Sequence, residues 1–202
     1  MKFKRILAVT ALAAAGTVFA HGDGNGNDRS LFEFDGAIGV QPFRVQAGAP
    51  VLNVVAGVNP GGAPWGMSSF KATISKTGEI RGRGTGVLLL GIDNIGTRAG
   101  PRQVIVSLFC RAAPVPPAVA GAVVQNAFNS APVDLDEDGD FNVRGPLADS
   151  TGAAPPLDCG DDVDNRPVLL VRAVTPANPT TGTPATPSAW FAAGIIKRKH
   201  GW

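Results

Sequence analysis

The chain has 202 residues, of which 26 are Gly and 17 are Pro, and only 17% are charged. Hydrophobic residues make up 44%, enough for a buried core, while the many Gly and Pro exclude a coiled coil or a long helical bundle. The formal net charge of +2 is too small to indicate a nucleic-acid partner. A single domain is expected for this length.

The first 20 residues have the pattern of a secretory signal peptide. A basic start with Lys2, Lys4 and Arg5 precedes an apolar run over 6–16, and small residues lead to a cleavage site near Ala20. Without those three basic residues the chain keeps 15 basic and 16 acidic residues, a net charge near −1. No later run is apolar over the roughly 20 residues that a membrane helix needs. We therefore expect an exported protein, periplasmic or extracellular, with no transmembrane segment in the mature chain.

The mature chain divides into three parts. Residues 21–30 are rich in Gly and Asn and predict a flexible arm, 31–196 form a single domain, and 197–202 are a basic C-terminal tail. An N-terminal His21 could chelate copper, but the only other His is His200, in the tail. We interpret His21 as part of a mobile terminus.

Strand patterns follow one another through the domain. Apolar and polar residues alternate over 70–75 and 104–111, as in strands with one face buried, whereas 51–58, 87–90 and 168–171 are short runs rich in β-branched and aliphatic residues, typical of central strands. With weaker segments, about ten short strands are predicted, at 38–45, 51–58, 70–75, 79–84, 87–90, 104–111, 121–129, 133–135, 140–144, 168–171 and 190–196. This spacing predicts an all-β fold, an immunoglobulin-like or Greek-key β-sandwich of about 8–10 short strands with one disulfide.

A short repeat lies inside this pattern. The segment 74–84 aligns with 135–145, with Gly78 and Gly139 at the same place and Arg-Gly closing both. Each copy predicts a hairpin whose glycine takes the left-handed conformation in the turn.

The two cysteines, Cys110 and Cys159, are expected to form one disulfide, because exported thiols are normally oxidised in pairs. Neither cysteine has the CxxC spacing of a redox centre.

The second copy of the repeat is strongly acidic. Asp134, Asp136, Asp138 and Asp140 recur at every second residue, as in the start of a calcium loop, and are the candidate calcium ligands. The twelfth place holds Gly145 instead of the bidentate Glu, and the flanking segments predict strands, so a plain acidic turn is favoured over calcium. If calcium binds, further ligands are expected at Asp158, Asp161, Asp162 and Asp164.

Trp65 is the candidate binding residue. It lies in a loop rich in Gly and Pro, 59–65, where an exposed indole ring could stack on a sugar or on a partner protein. The alternative, which is favoured, is that the ring closes one end of the sandwich.

Several motifs are distributed along the mature chain: Pro60-Gly-Gly-Ala-Pro-Trp65, Arg83-Gly84, Val87-Leu-Leu, Leu108-Phe-Cys110, Leu135-Asp, Asp138-Gly-Asp-Phe141, Cys159 and Trp190-Phe-Ala-Ala193. Together they resemble a group of uncharacterised secreted bacterial proteins, and the hairpin repeat is distantly similar to CHRD-type extracellular domains. The resemblance implies a β-rich fold and export, and it implies no activity.

We predict a secreted, non-catalytic module with a binding or structural role at the cell envelope or outside the cell, and with no cofactor unless calcium binds. The alternatives are a calcium-stabilised extracellular module and a hydrolase that uses carboxylates of the acidic region 134–164. The sequence does not identify the partner; a carbohydrate, another protein or a second copy of the chain are the candidates. Head-to-tail association of two copies is electrostatically reasonable, because 29–111 is mainly basic and 134–164 mainly acidic.

Overall fold

The computed structural model describes residues 30–111, 125–160 and 166–197. Within these ranges the chain forms strands and no helix, which confirms the predicted all-β class. The predicted leader, the arm residues 21–29 and the tail residues 198–202 lie outside the described residues. Ser30, assigned to the arm from its sequence, begins the first strand.

Thirteen strands are seen in the described part of the chain. They are β1 Ser30–Gly39, β2 Phe43–Gln46, β3 Ala49–Leu52, β4 Trp65–Gly66, β5 Ser69–Ser75, β6 Glu79–Thr85, β7 Leu88–Leu89, β8 Gln103–Arg111, β9 Gln125–Asn129, β10 Val133–Asp134, β11 Phe141–Pro146, β12 Val168–Thr175 and β13 Thr186–Ile196.

Nine of these strands form one sheet with antiparallel pairing, in the order β10, β8, β12, β13, β1, β5, β6, β11, with β9 also paired to β8. The total of thirteen described strands is larger than the 8–10 predicted for the domain. Two separate ribbons, β2 with β3 and β4 with β7, complete the fold.

The main sheet curls until its two ends meet. Asn129, at the end of β9, and Ala148, just after β11, exchange two backbone hydrogen bonds of 2.7 and 3.0 Å. The result is a sandwich-like enclosure with the large apolar side chains inside. Its core includes Phe34, Phe70, Ile74, Ile80, Leu108, Phe141, Leu147, Leu169 and Trp190.

Strand β8 is buried more completely than the alternation predicts. Every residue of β8 from Val104 to Cys110 is buried, so the prediction of one exposed face for this strand is wrong. Ser107 is accommodated because its hydroxyl donates to Asn129 Oδ1 at 2.7 Å. On the same face the Arg172 guanidinium lies 5.9 Å from the centre of the Phe109 ring, and burial lowers the pKa of this arginine.

The apolar run at 51–58 is the clearest departure from prediction. It was expected to be a central strand, but only its first two residues belong to a strand, β3, and Leu52 and Val54 are exposed. The predicted strand at 38–45 is likewise two strands, β1 and β2, separated at 40–42.

Among the described residues there is no apolar helix of the length that a membrane crossing requires.

Candidate functional site

The predicted repeat is present in the backbone of both turns. Gly78 N donates to Ser75 O at 3.0 Å, and Gly139 N donates to Asp136 O at 3.2 Å, at equivalent places. The φ angles of the two glycines, 81° and 77°, are both left-handed, as expected.

The first side chain of each turn also has the same role. Glu79 N donates to Ser75 Oγ at 3.0 Å, and Asp140 N donates to Asp136 Oδ1 at 2.7 Å. A serine in one copy and an aspartate in the other thus close the same turn, as short polar side chains commonly do. In this position Asp136 is a turn-forming residue.

The acidic turn is fixed to the connection between β6 and β7. Gly86 N donates to Asp140 Oδ1 at 3.0 Å, and Arg83 forms an ion pair of 3.5 Å with Asp140 Oδ2. Val87 N donates to Gly139 O at 2.9 Å, and a Cβ on Gly139 would lie 2.6 Å from Val87 N. Asp140 and Gly139 therefore join two neighbouring loops of the sheet.

The remaining predicted calcium ligands are separated. Asp134 accepts a hydrogen bond from Gln103 Nε2 at 3.1 Å on β8, while Asp138 is exposed at the tip of the turn. In the described ranges no group of three or more His, Cys, Asp or Glu side chains could hold a metal ion. The calcium site stays a prediction; of its four additional ligands, Asp158 is exposed and Asp161, Asp162 and Asp164 lie outside the described residues.

The disulfide prediction is confirmed. Cys110 on β8 is bonded to Cys159, with 4.5 Å between the Cα atoms and a sequence separation of 49. Both residues are buried. The bond ties the segment after β11 to β8, an interior strand of the main sheet.

Trp65 is buried, with 5% of its surface exposed. Its indole ring stacks on Phe191, with 4.1 Å between ring centroids. This arrangement agrees with the packing interpretation, and the ring offers no free face to a sugar. The binding interpretation for Trp65 has no exposed surface to support it.

An open groove of about 690 Å³ lies where the two ends of the sheet meet. Its walls are mainly alanine and proline side chains, and Asn129, Ser130, Asp149 and Ser150 contribute polar groups. Asn129 Oδ1 is used by Ser107, while Ser130 Oγ accepts from Val106 N at 3.1 Å. These polar oxygens thus already hold the protein together.

Asp149 is the carboxylate of this groove. Hydrogen bonds from the Thr151 hydroxyl and from the Ala153 and Thr151 amides lower the pKa of Asp149. Its Oδ1 atom accepts all three, at 2.7 to 2.9 Å. The carboxylate is therefore stabilised in its charged form and fixed in the loop.

The most unusual surface lies on the β2–β3 hairpin. Phe43 pairs with Leu52, and Val45 pairs with Pro50, so these four side chains share one face, here named the apolar hairpin face. Phe43 is 60% exposed and Val45 is 76% exposed. Arg44 lies on the opposite face. An apolar strand face normally packs on a core, and this one does not.

The hairpin is well formed despite this exposure. Ala47 and Gly48 have φ angles of 50° and 80°, as in the two-residue turn that matches the twist of a hairpin. At the base, Asn53 N donates to Pro42 O at 2.9 Å and Asn53 Nδ2 donates to Gln41 O at 3.1 Å.

A second exposed apolar segment, residues 90–96, is here named the apolar loop. Leu89 N donates to Thr97 O at 2.9 Å and closes its base. Leu90, Ile92 and Ile95 are exposed, and Ile92 has a φ of 63°. A β-branched residue in the left-handed region is strained, and such strain is typical of functional surfaces.

The backbone of Trp65 contacts the chain near the base of both surfaces. Trp65 N donates to Val40 O at 3.0 Å, two residues before the base of the hairpin. Trp65 also pairs with Leu89, from which the apolar loop begins. The apolar hairpin face and the apolar loop therefore arise at the same end of the molecule.

Comparison with known proteins adds no family to this description. No protein-family model matches the chain, and neither a curated protein nor a solved structure matches it. The resemblance to CHRD-type domains stays a prediction.

The sequence interpretation missed the residues of the apolar hairpin face. Their signal was available as two alternating pairs, Phe43 with Val45 and Pro50 with Leu52, on either side of Ala47-Gly48. An alternating pattern predicts which side chains share a face, but it does not say whether another layer covers that face.

Proposed function

We propose that the chain is an exported, non-catalytic binding module that contacts its partner through the apolar hairpin face. The observation that carries this proposal is the exposure of Phe43 and Val45 on a face without charged side chains. Contiguous exposed apolar surface of this kind is rare on monomers and marks interaction sites.

Several features favour binding over hydrolysis. A glycosidase needs a carboxylic acid that stays protonated near neutral pH, and hydrogen bonding lowers the pKa of Asp149, the groove carboxylate. The Asn129 and Ser130 side chains are occupied by hydrogen bonds within the fold. The Asn129 and Ser130 oxygens and the Asp149 Oδ1 atom are thus committed to hydrogen bonds within the fold.

Export is supported by two independent features. The leader pattern ends near Ala20, and the disulfide between Cys110 and Cys159 is of the kind that persists in oxidising compartments.

The proposal is tested with an apolar dye, anilinonaphthalene sulfonate, and purified protein at about 1 µM, where weak association is minimal. Phe43→Ser with Val45→Thr should lower dye fluorescence severalfold and change the free energy of unfolding by less than about 0.5 kcal/mol, because both residues are exposed.

The matched control is Arg44→Ser with Gln46→Thr, on the opposite face of the same strand. It should bind the dye like the wild type. Equal dye binding by the two double variants would show that the apolar hairpin face is not an accessible binding surface.

A further inference from the structure

We infer that the partner of the apolar hairpin face is a second copy of this chain, packed against the same face about a two-fold axis. This inference rests on the proposed function, since it names the partner of the surface described there. In a two-fold interface one patch meets itself, so the patch must be compatible with its own chemistry.

Charge permits such self-contact. Of residues 43–54 only Arg44 is charged, and it lies on the far face of the hairpin. In the apolar loop only Asp93 is charged. The apolar hairpin face thus brings no charge to the contact and the apolar loop brings one carboxylate per copy, and a mature chain with a net charge near −1 has little overall repulsion to overcome.

The exposed area is close to what a stable dimer uses. The dimer contact is taken to include the apolar hairpin face, the adjacent Val54 and the apolar loop, because the face alone is too small. The large apolar side chains of these three parts are exposed by 45% to 76%: Phe43, Val45, Leu52, Val54, Leu90, Ile92 and Ile95. With a full area of roughly 160–200 Å² each, they expose about 700 Å² per copy, against roughly 800 Å² per partner in a standard interface.

A lipid surface fits this patch less well. Proteins that lie on membranes usually combine apolar residues with Lys or Arg beside them and with interfacial Trp or Tyr. The apolar hairpin face and the apolar loop contain none of these, since Arg44 points away and Trp65 is buried.

The contact is expected through the face and not by addition of a strand to β3. Because Asn53 N bonds to Pro42 O, the backbone groups of Pro50 and Leu52 point away from β2. Pro50 has no N–H to donate at this outer edge, and proline is a common device against strand addition.

The test is sedimentation velocity of the mature chain between about 1 µM and about 200 µM, the range that covers micromolar dissociation constants. Wild type should pass from monomer to dimer. Val45→Asp, which places a charge on the face, should raise the dissociation constant at least about tenfold. Gln46→Asp, one residue along and on the opposite face, should behave as wild type.

Three results would overturn the inference. In the first, the wild type stays monomeric over the whole concentration range. In the second, Val45→Asp and Gln46→Asp weaken self-association equally. In the third, the monomer binds phosphatidylcholine–phosphatidylglycerol vesicles and Val45→Asp abolishes that binding. The unfolding midpoints of both variants must match the wild type. A monomer that still binds dye through this face would leave the proposed function standing and remove only the second copy as partner.

Discussion

Asp140 shows how one side chain can hold two loops. Its carboxylate accepts from Gly86 N and pairs with Arg83, while its backbone N–H is bound by Asp136. Arg83 is mostly exposed, so the ion pair itself contributes little. The hydrogen bond to the Gly86 amide is expected to be the larger contribution.

Replacing this carboxylate tests that assignment. Asp140→Ala should lower the free energy of unfolding by about 1–2 kcal/mol, because it leaves the Gly86 amide without its acceptor. Asp138→Ala, at the exposed tip of the same turn, should change it by less than about 0.5 kcal/mol. Chemical denaturation of both variants is the measurement. Equal losses would mean that the turn responds to acidic charge in general and not to this hydrogen bond.

The roles of some turn residues can be predicted from the sequence, and those of others cannot. The positions of Gly78 and Gly139 could be predicted, because a left-handed turn favours glycine and the repeat aligned them. The role of Asp136 could not be fixed, because alternating aspartates suit both a calcium loop and a turn. Only the Ser75 side chain, with its bond to Glu79 N, shows that the same closure forms without a carboxylate.

Among the elements, β8 is joined covalently to the segment after β11 by the disulfide near the end of β8. Cys110 closes a loop of 49 residues with Cys159, and this connection restricts the unfolded chain. The bond also holds the segment after β11 against the sheet.

Removing the bond should therefore be costly. Cys110→Ala with Cys159→Ala should lower the free energy of unfolding by about 4 kcal/mol in the chain-entropy model. Urea denaturation, followed by the fluorescence of the buried Trp65 and Trp190, measures this change. Wild type treated with reductant serves as the control, and it should unfold at about the same urea concentration as the double variant, because both lack the disulfide. A change below about 1 kcal/mol would mean that the segment is held by packing alone.

The two apolar runs at 51–58 and 168–171 show where prediction of elements fails. Both are rich in Val and Leu, and the pattern of each predicts a central strand. Residues 168–171 lie in β12, an interior strand of the main sheet, with Leu169, Leu170 and Val171 fully buried, while Leu52 and Val54 are exposed. Local sequence sets strand character, but burial depends on neighbouring strands that are distant in the chain.

At the scale of the whole molecule, the curled sheet encloses the apolar core, while one end of the molecule carries exposed apolar side chains. The joined ends at Asn129 and Ala148 complete the enclosure, and Trp65 packs inside it beneath the exposed surfaces. The apolar hairpin face is therefore not an unfinished part of the core. It projects from a completed fold, as expected for a surface that is covered by another molecule.

Site-specific photo-crosslinking tests this conclusion most directly. A benzoylphenylalanine is placed at Val45, or at Gln46 as the control, in the full chain expressed in its organism of origin. A product of another mass from position 45 would keep the binding role and replace the second copy as partner. We expect a product of about twice the mass of the mature chain from position 45 and none from position 46. No product from position 45, or equal products from both positions, would contradict a binding role for this face.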